Sequence, residues 1–414
     1  MSRFNVSSTH PLIPNSQEYI NDVKYVSIHS EDRDVLKYPN SAEFDITLPQ
    51  DYCNVQQVQL SDWTFPANYN TFSLVQNNIF MTFKVTEPFN PGAAGITDPL
   101  LFVIFEAFHN YGADRNFTFH IEEGFYNPLQ IATELTNKFN EVVTNMIDQF
   151  MYDQIRNPPV VPLPVPVTLD IYNQFKDAGG YTQFVIIYNI VEQRLWFGNK
   201  SSNFILTNDS EIYKDVIDDA LQCKLQPLPN FSNWGLPPYL GFTRCPTPAT
   251  PAEPTRPPRV YYGDVVPGDN GYWLLPDPEY KGAALLYYLA APAKINIMGN
   301  AYIYMEISGL NNIDETIPYS NNNFTRTTNE TNGVVNSAFA KIAIQATPVS
   351  QWFGGGLPNY KWYYPPAERI RKIRVRLRYH NNSLVDFGKF EYSFTLAFSL
   401  LRPQSQTAYK VSQV

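Results

Sequence analysis

The chain has 414 residues, enough to bury a substantial core and to form two domains or one large two-part body. Charged residues make up only 17% and aromatics 15%, with 28 Tyr, 28 Phe and 34 Pro, a balance that suits strands joined by Pro- and Asn-rich loops better than a helix-rich enzyme. A formal net charge of -9 argues against general adhesion to nucleic acid and leaves room only for a local basic patch.

Cys53, Cys223 and Cys245 are odd in number and widely spaced, so they give neither a disulfide framework nor a Cys-x-x-Cys metal or redox pair. Met1-Ser2-Arg3-Phe4 opens no apolar signal segment and no run approaches bilayer-spanning length. The expected compartment is reducing, so the Asn-x-Ser/Thr triplets carry little weight.

Residues 1–23 are polar, contain Pro11 and Pro14, and read as an extended arm, either a disordered tail or one draped over a neighbouring subunit. From Lys24 to Val85 the chain reads as a series of strands. Tyr25, Val26 and Ile28 open the first, which the turn chemistry of Ser30-Glu31-Asp32-Arg33-Asp34 ends. Phe44, Ile46 and Leu48 alternate with Glu43, Asp45 and Thr47, the period of a half-buried strand. After Pro49-Gln50-Asp51, Val55, Val58 and Leu60 form a third run, and Ile79 to Val85 a fourth.

Leu101 to Phe108 reads as a short central strand, and Phe117, Phe119 and Ile121 as another. A helix over 128–150 follows, with Leu129, Ala132, Leu135, Phe139, Val142 and Met146 on one face, Asn127 as its cap and Pro128 in its first position. Pro158 to Pro166 forces an extended connection. Phe184 to Tyr188 and Arg194 to Phe197 read as a hairpin, with Phe204-Ile205-Leu206 as a further strand.

Residues 246–272 contain the proline-rich run Pro246 to Pro258 and read as a linker or an inserted loop between two β-rich domains, 24–245 and 273–401. Strand pairing is not given by order alone. The first and last strands are also compatible with one shared sheet, which would make the proline-rich run an insertion. In the second domain, Ala283 to Leu289, Ala301 to Ile307, Phe339 to Ile344, Arg371 to Tyr379 and Phe387 to Leu400 read as strands, the last with Phe390, Tyr392, Phe394, Leu396 and Phe398 on one face. Residues 402–414 form a polar tail. Together these elements predict an all-β fold, antiparallel jelly-roll-like sandwich domains with one prominent amphipathic helix and long loops.

The strongest surface signal is Arg369 to Arg378. On a strand, Lys372, Arg374, Arg376 and Arg378 share one face while Ile373, Val375, Leu377 and Tyr379 share the other. The four cations form a candidate interface for phosphate, an acidic membrane surface or an acidic protein. The competing reading pairs them with Asp and Glu of the same chain. No aromatic platforms interleave them, which speaks against specific nucleic-acid binding.

Catalytic signals are weak. His10, His29, His109, His120 and His380 show no close ligand spacing, and there is no Gly-x-Ser-x-Gly elbow. Gly354-Gly355-Gly356 lacks the ending of a phosphate loop and reads as a flexible surface turn. No cofactor, metal or catalytic residue is expected.

The segments Ile28 to Asp34, Tyr38-Pro39-Asn40, Phe44 to Leu48 and Val58 to Pro66 resemble the opening of minor capsid proteins from large icosahedral double-stranded DNA viruses, the nucleocytoplasmic group and its chlorovirus-like members. Glu123-Gly124-Phe125-Tyr126 leading into a helix, Met305 to Asn311, Asp314 to Tyr319 and Val385 to Gly388 are similar to further segments of that family. The resemblance implies a structural component with jelly-roll-like domains at the inner face of the capsid shell, assembled in the host cytoplasm. Its implied partners are the major capsid protein and other minor capsid proteins, with an inner membrane as a further contact.

Two other classes stay open. One is a carbohydrate-binding sandwich that uses Trp196, Trp234, Trp273, Trp352 and Trp362 as stacking platforms. The other is a hydrolase with a spatially assembled site.

Overall fold

The computed structural model describes residues 19–66, 70–74, 76, 78–113, 115–157, 164–208, 235–243, 246–252, 260–261, 264–265, 274, 277–315, 336–344, 351–355, 359–380, 382 and 384–403. Strands β1 (Tyr19–His29) and β2 (Glu43–Pro66) come first. Next come β3 (Phe80–Glu87), α1 (Pro99–Asn110), β4 (Phe117–His120), α2 (Pro128–Arg156), α3 (Leu169–Asp177), β5 (Phe184–Asn189), β6 (Arg194–Asn199) and β7 (Asn203–Leu206). Short strands β8 (Thr247–Pro248), β9 (Thr250–Pro251), β10 (Val260–Tyr261) and β11 (Asp264–Val265) precede β12 (Tyr287–Ala290). The chain then forms β13 (Tyr302–Ile307), β14 (Ile313–Glu315), β15 (Asn336–Ala338), β16 (Ala340–Ala343), β17 (Gln351–Gly355), β18 (Tyr360–Arg378) and β19 (Ser393–Pro403).

Two compact units result, residues 1–70 with 300–414, and residues 71–299. They stand in place of the consecutive division 24–245 and 273–401, because the first and last strands pair directly: β1 runs antiparallel to β19 from Tyr19↔Pro403 to His29↔Ser393. Residues 19–23, expected in an arm, and 402–403, expected in a tail, belong to this ladder. Residues 1–18 and 404–414 lie outside the described residues.

The first unit is built on one seven-stranded antiparallel sheet in the order β1-β19-β2-β18-β13-β16, with β17 also on β2. Its core takes alternate residues from every long strand: Val26 and Ile28, Phe44, Val58 and Leu60, Ile303 and Met305, Val375 and Leu377, Phe394, Leu396 and Phe398. Period-two alternation holds each of these on one face. Phe390 departs from the expected inward row and is exposed, since β19 begins only at Ser393.

The runs read as separate strands before and after Pro49-Gln50-Asp51 are one strand, for β2 continues through Pro49. The proline sits where the β2–β18 register shifts, between the pairs Thr47↔Lys372 and Tyr52↔Ile370. A proline that cannot donate to the ladder is tolerated at such an irregularity.

The second unit holds two four-stranded antiparallel sheets, β4-β3-β7-β8 and β5-β6-β12-β9. Phe83 of one and Phe184 of the other meet at 5.2 Å between ring centroids, and Phe139 of α2 stacks on Phe83 at 4.3 Å. Helix α2 begins as predicted: the Asn127 side chain accepts from Leu129 N and Gln130 N, and Gln130 Oε1 accepts from Asn127 N. Its buried face is Ile131, Ala132, Leu135, Phe139, Val143, Met146, Ile147 and Phe150, while Leu129 is exposed and Val142 half-buried.

The expected strand at 101–108 is instead helix α1, capped by Asp98 with Pro99 in its first turn. With α3 this makes three α-helices among the described residues, where one prominent helix was expected. The expected linker is also part of this unit at its start: β8 pairs with β7 and β9 with β12, so residues 247–251 add a short strand to each sheet.

Candidate functional site

The site begins with β18, whose Ile373, Val375 and Leu377 are buried in the core of the first unit. Alternation then turns Lys372, Arg374 and Arg376 to the opposite face. Lys372 and Arg374 are exposed, with side chains 55% and 58% accessible, and Arg376 is half-buried. Arg378 departs from the expected exposed row, for its side chain is fully buried.

Register decides what the cations meet. On β2, Asp45 lies opposite Arg374 and Glu43 opposite Arg376; on β13, Glu306 lies opposite Arg376. Lys372 Nζ is 2.7 Å from Asp45 Oδ2, and Arg374 Nη2 is 2.6 Å from Glu43 Oε1. Arg376 Nη1 is 3.6 Å from Glu306 Oε2. Arg378 donates from Nε to Glu306 and from Nη2 to Glu315. Four cations thus face four carboxylates. The hydrogen bond from Lys372, followed by one from Tyr38, holds the Asp45 carboxyl below its ordinary range against the opposing effect of burial.

Arg378 is the anchor of this strip. Besides its two carboxylates it donates to Tyr379 O at 3.3 Å and lies over the Tyr304 ring at 5.3 Å. The sequence signal for the missing partners was present in the Glu43-Phe44-Asp45 alternation: an acidic strand face with the same period as the basic one.

A second cluster joins both chain ends. Arg33 donates to Ser30 O, Tyr38 O and Glu391 Oε2 at 2.7, 2.9 and 2.6 Å. Asp34 accepts from Leu36 N and Lys37 N, and Asn40 from Ala42 N. Asn311 accepts from Ile307 N and Asp386 from Gly388 N. Each of these polar side chains closes a turn of the protein's own backbone.

The outer face of β18 carries a further feature, exposed Tyr360, Trp362 and Tyr364. Tyr360 and Trp362 stand edge to face, 6.0 Å apart at 89°, so they do not form a flat stacking platform. Trp196 is buried and stacked on Tyr288. Trp234, Trp273 and the side chain of Trp352 lie outside the described residues.

The Gly354-Gly355 segment is strand rather than surface turn, because β17 pairs with Trp63 and Asp62 of β2. In the second unit an open groove of about 540 Å³ lies at the start of α2. Two of its three carboxylates serve the backbone: Glu134 accepts from Glu122 N and Glu123 from Leu74 N. Among the described residues no group of three His, Cys, Asp or Glu side chains is placed to hold a metal ion. No described helix is long and apolar enough to cross a membrane.

No protein-family model matches the chain, and no curated protein matches it. Among solved structures, the chain is similar to the mavirus penton protein, with a TM-score of 0.37, 7% identity, and coverage of 92% of this chain and 99% of that one. It is also similar to a chain of the Sputnik virophage, with a TM-score of 0.36, 11% identity, and coverage of 93% and 99%.

Proposed function

We propose that this chain is a structural component of an icosahedral viral capsid, a minor capsid protein that ties neighbouring major capsomers and other minor proteins together beneath the shell. The observation that carries this reading is the use made of the residues that resemble that family. Arg33, Asp34, Asn40, Asn311 and Asp386 come from distant parts of the chain and are all engaged in closing backbone turns around one sheet. Side chains committed in this way stiffen a scaffold and leave no nucleophile or acid-base pair among them. On this reading the exposed part of the basic strip, Lys372 and Arg374, meets an acidic protein or the headgroups of an inner membrane, exchanging its pairing with Asp45 and Glu43 for contacts across an interface.

The test is electron cryo-microscopy of the assembled particle with every contacting chain traced. Broad contacts between this chain, capsomers and other minor proteins are expected. Absence of the chain from purified particles would overturn the proposal.

A further inference from the structure

The seven-stranded sheet ends on one side in β1, which pairs with β19 along all eleven residues without a register shift. Among the described residues no strand lies on its other edge. A long regular edge of this kind is a template for another strand, and proteins ordinarily blunt it with proline, a bulge or an inward-pointing charge. The segment Tyr19–His29 has no proline and no bulge. It does have a charge on the core side: Lys24 shares the face of buried Val26 and Ile28 and has no ion-pair partner among the described residues.

Lys24 alone would oppose pairing, but Asp22 lies two residues away on the same face. Its Oδ2 lies 2.8 Å from Arg402 Nε. From this geometry we infer that β1 pairs with β1 of a second copy of this chain, antiparallel and centred on Val23. A two-fold axis normal to the sheet keeps core face with core face, so residues opposite one another must share parity. Centring on Val23 sets Asp22 against Lys24 twice, Asn21 against Tyr25 twice, and Val23 against itself.

The neighbouring allowed registers fail on charge. Centring on Asp22 opposes two aspartates, and centring on Lys24 opposes two lysines; like charges directly opposite destabilise a strand pair. The outer face is compatible with this register, since Val23 and Tyr25 are exposed by 42% and 67% and the two Val23 side chains would meet across the axis.

The test uses the full chain, with mass measured by light scattering over a range of concentrations. A dimer is expected, and Lys24→Glu should weaken it about tenfold or more by turning two opposite-charge pairs into two like-charge pairs. The far-ultraviolet circular dichroism of that variant, and its melting temperature at concentrations where both chains are monomeric, should match the parent, which separates lost pairing from lost folding. Oxidation should crosslink Val23→Cys to itself, because opposed Cα atoms in an antiparallel pair lie within disulfide reach, and should leave Ser27→Cys uncrosslinked. A chain that remains monomeric, a dimer as tight with Lys24→Glu, or crosslinking at Ser27→Cys but not at Val23→Cys would overturn the inference. A monomer with β1 amides protected from hydrogen exchange would assign the edge to residues 1–18 instead, and would equally overturn it.

Discussion

Arg33 Nη1 lies 2.6 Å from Glu391 Oε2 and fastens together two turns that are 358 residues apart in sequence. The same guanidinium donates to three backbone carbonyls, those of Ser30, Tyr38 and Pro39, and its side chain is only 7% exposed. Replacing it with Ala removes the counter-charge of Glu391, which then keeps only the Ser30 hydroxyl as a donor, and takes the guanidinium from the Tyr38 carbonyl. Arg33→Ala should therefore cost about 2–4 kcal/mol, below the figure for a fully buried pair because Glu391 keeps some solvent contact. Urea denaturation checks this, and a loss under about 0.5 kcal/mol, the size of an ordinary surface change, would deny the residue its role.

Glu391 also predicts a pH dependence. Burial by itself would raise its carboxyl, but the hydrogen bonds from Arg33 and Ser30 and the Arg33 charge prevail and hold it below its ordinary 4.5. A carboxyl depressed in the folded state contributes its full stability above its unfolded value and loses it as pH falls through the folded value. Stability measured from about pH 6 down to about pH 3 should fall in the parent and fall less steeply in Glu391→Gln. Parallel curves would remove Glu391 from the cause; the similarly depressed Asp45 would then be the next group to replace.

Gly354 is fixed by a ring rather than by its backbone angle. A methyl group there would lie 2.2 Å from Trp63 Cζ2 and 2.5 Å from Cε2, closer than packed atoms allow. Trp63 is buried and cannot move aside freely. Gly354→Ala should cost about 1–3 kcal/mol, and Trp63→Leu in the same chain should recover part of it. A double-mutant cycle with additive costs would show that the two positions do not meet.

What the sequence revealed was the local chemistry. The alternation of Phe44, Ile46 and Leu48 and the Asn127-Pro128 helix start are written in adjacent residues, and both appear in the structure. Leu101 to Phe108 was misread because a continuous apolar run has no period to distinguish strand from buried helix; the local clue was Asp98-Pro99, a cap and a first-turn proline. The pairing of β1 with β19 and of the basic strip with Glu43 and Asp45 depends on register between distant segments, which no local pattern encodes. The basic face and the acidic Glu43-Phe44-Asp45 alternation were both legible in the sequence, but the register that sets one against the other was not.

That distinction separates two arginines of one strand. Arg378 is fully buried and donates to Glu306 and Glu315, the latter itself only 4% exposed. Arg378→Ala takes the guanidinium from the buried Glu315 carboxylate and leaves Glu306 with Arg376 alone, and should cost about 3–5 kcal/mol. Arg374 pairs with Glu43 in solvent, so Arg374→Ala should cost about 0–1 kcal/mol, with the small effect fading as salt is raised. Denaturation of the two variants at low and high salt decides the matter. Equal costs would mean that burial does not set the role of these side chains. If the costs differ as expected, Arg374 is the position at which altered assembly can be assigned to a lost contact, whereas any assembly defect of Arg378→Ala would follow from the weakened fold.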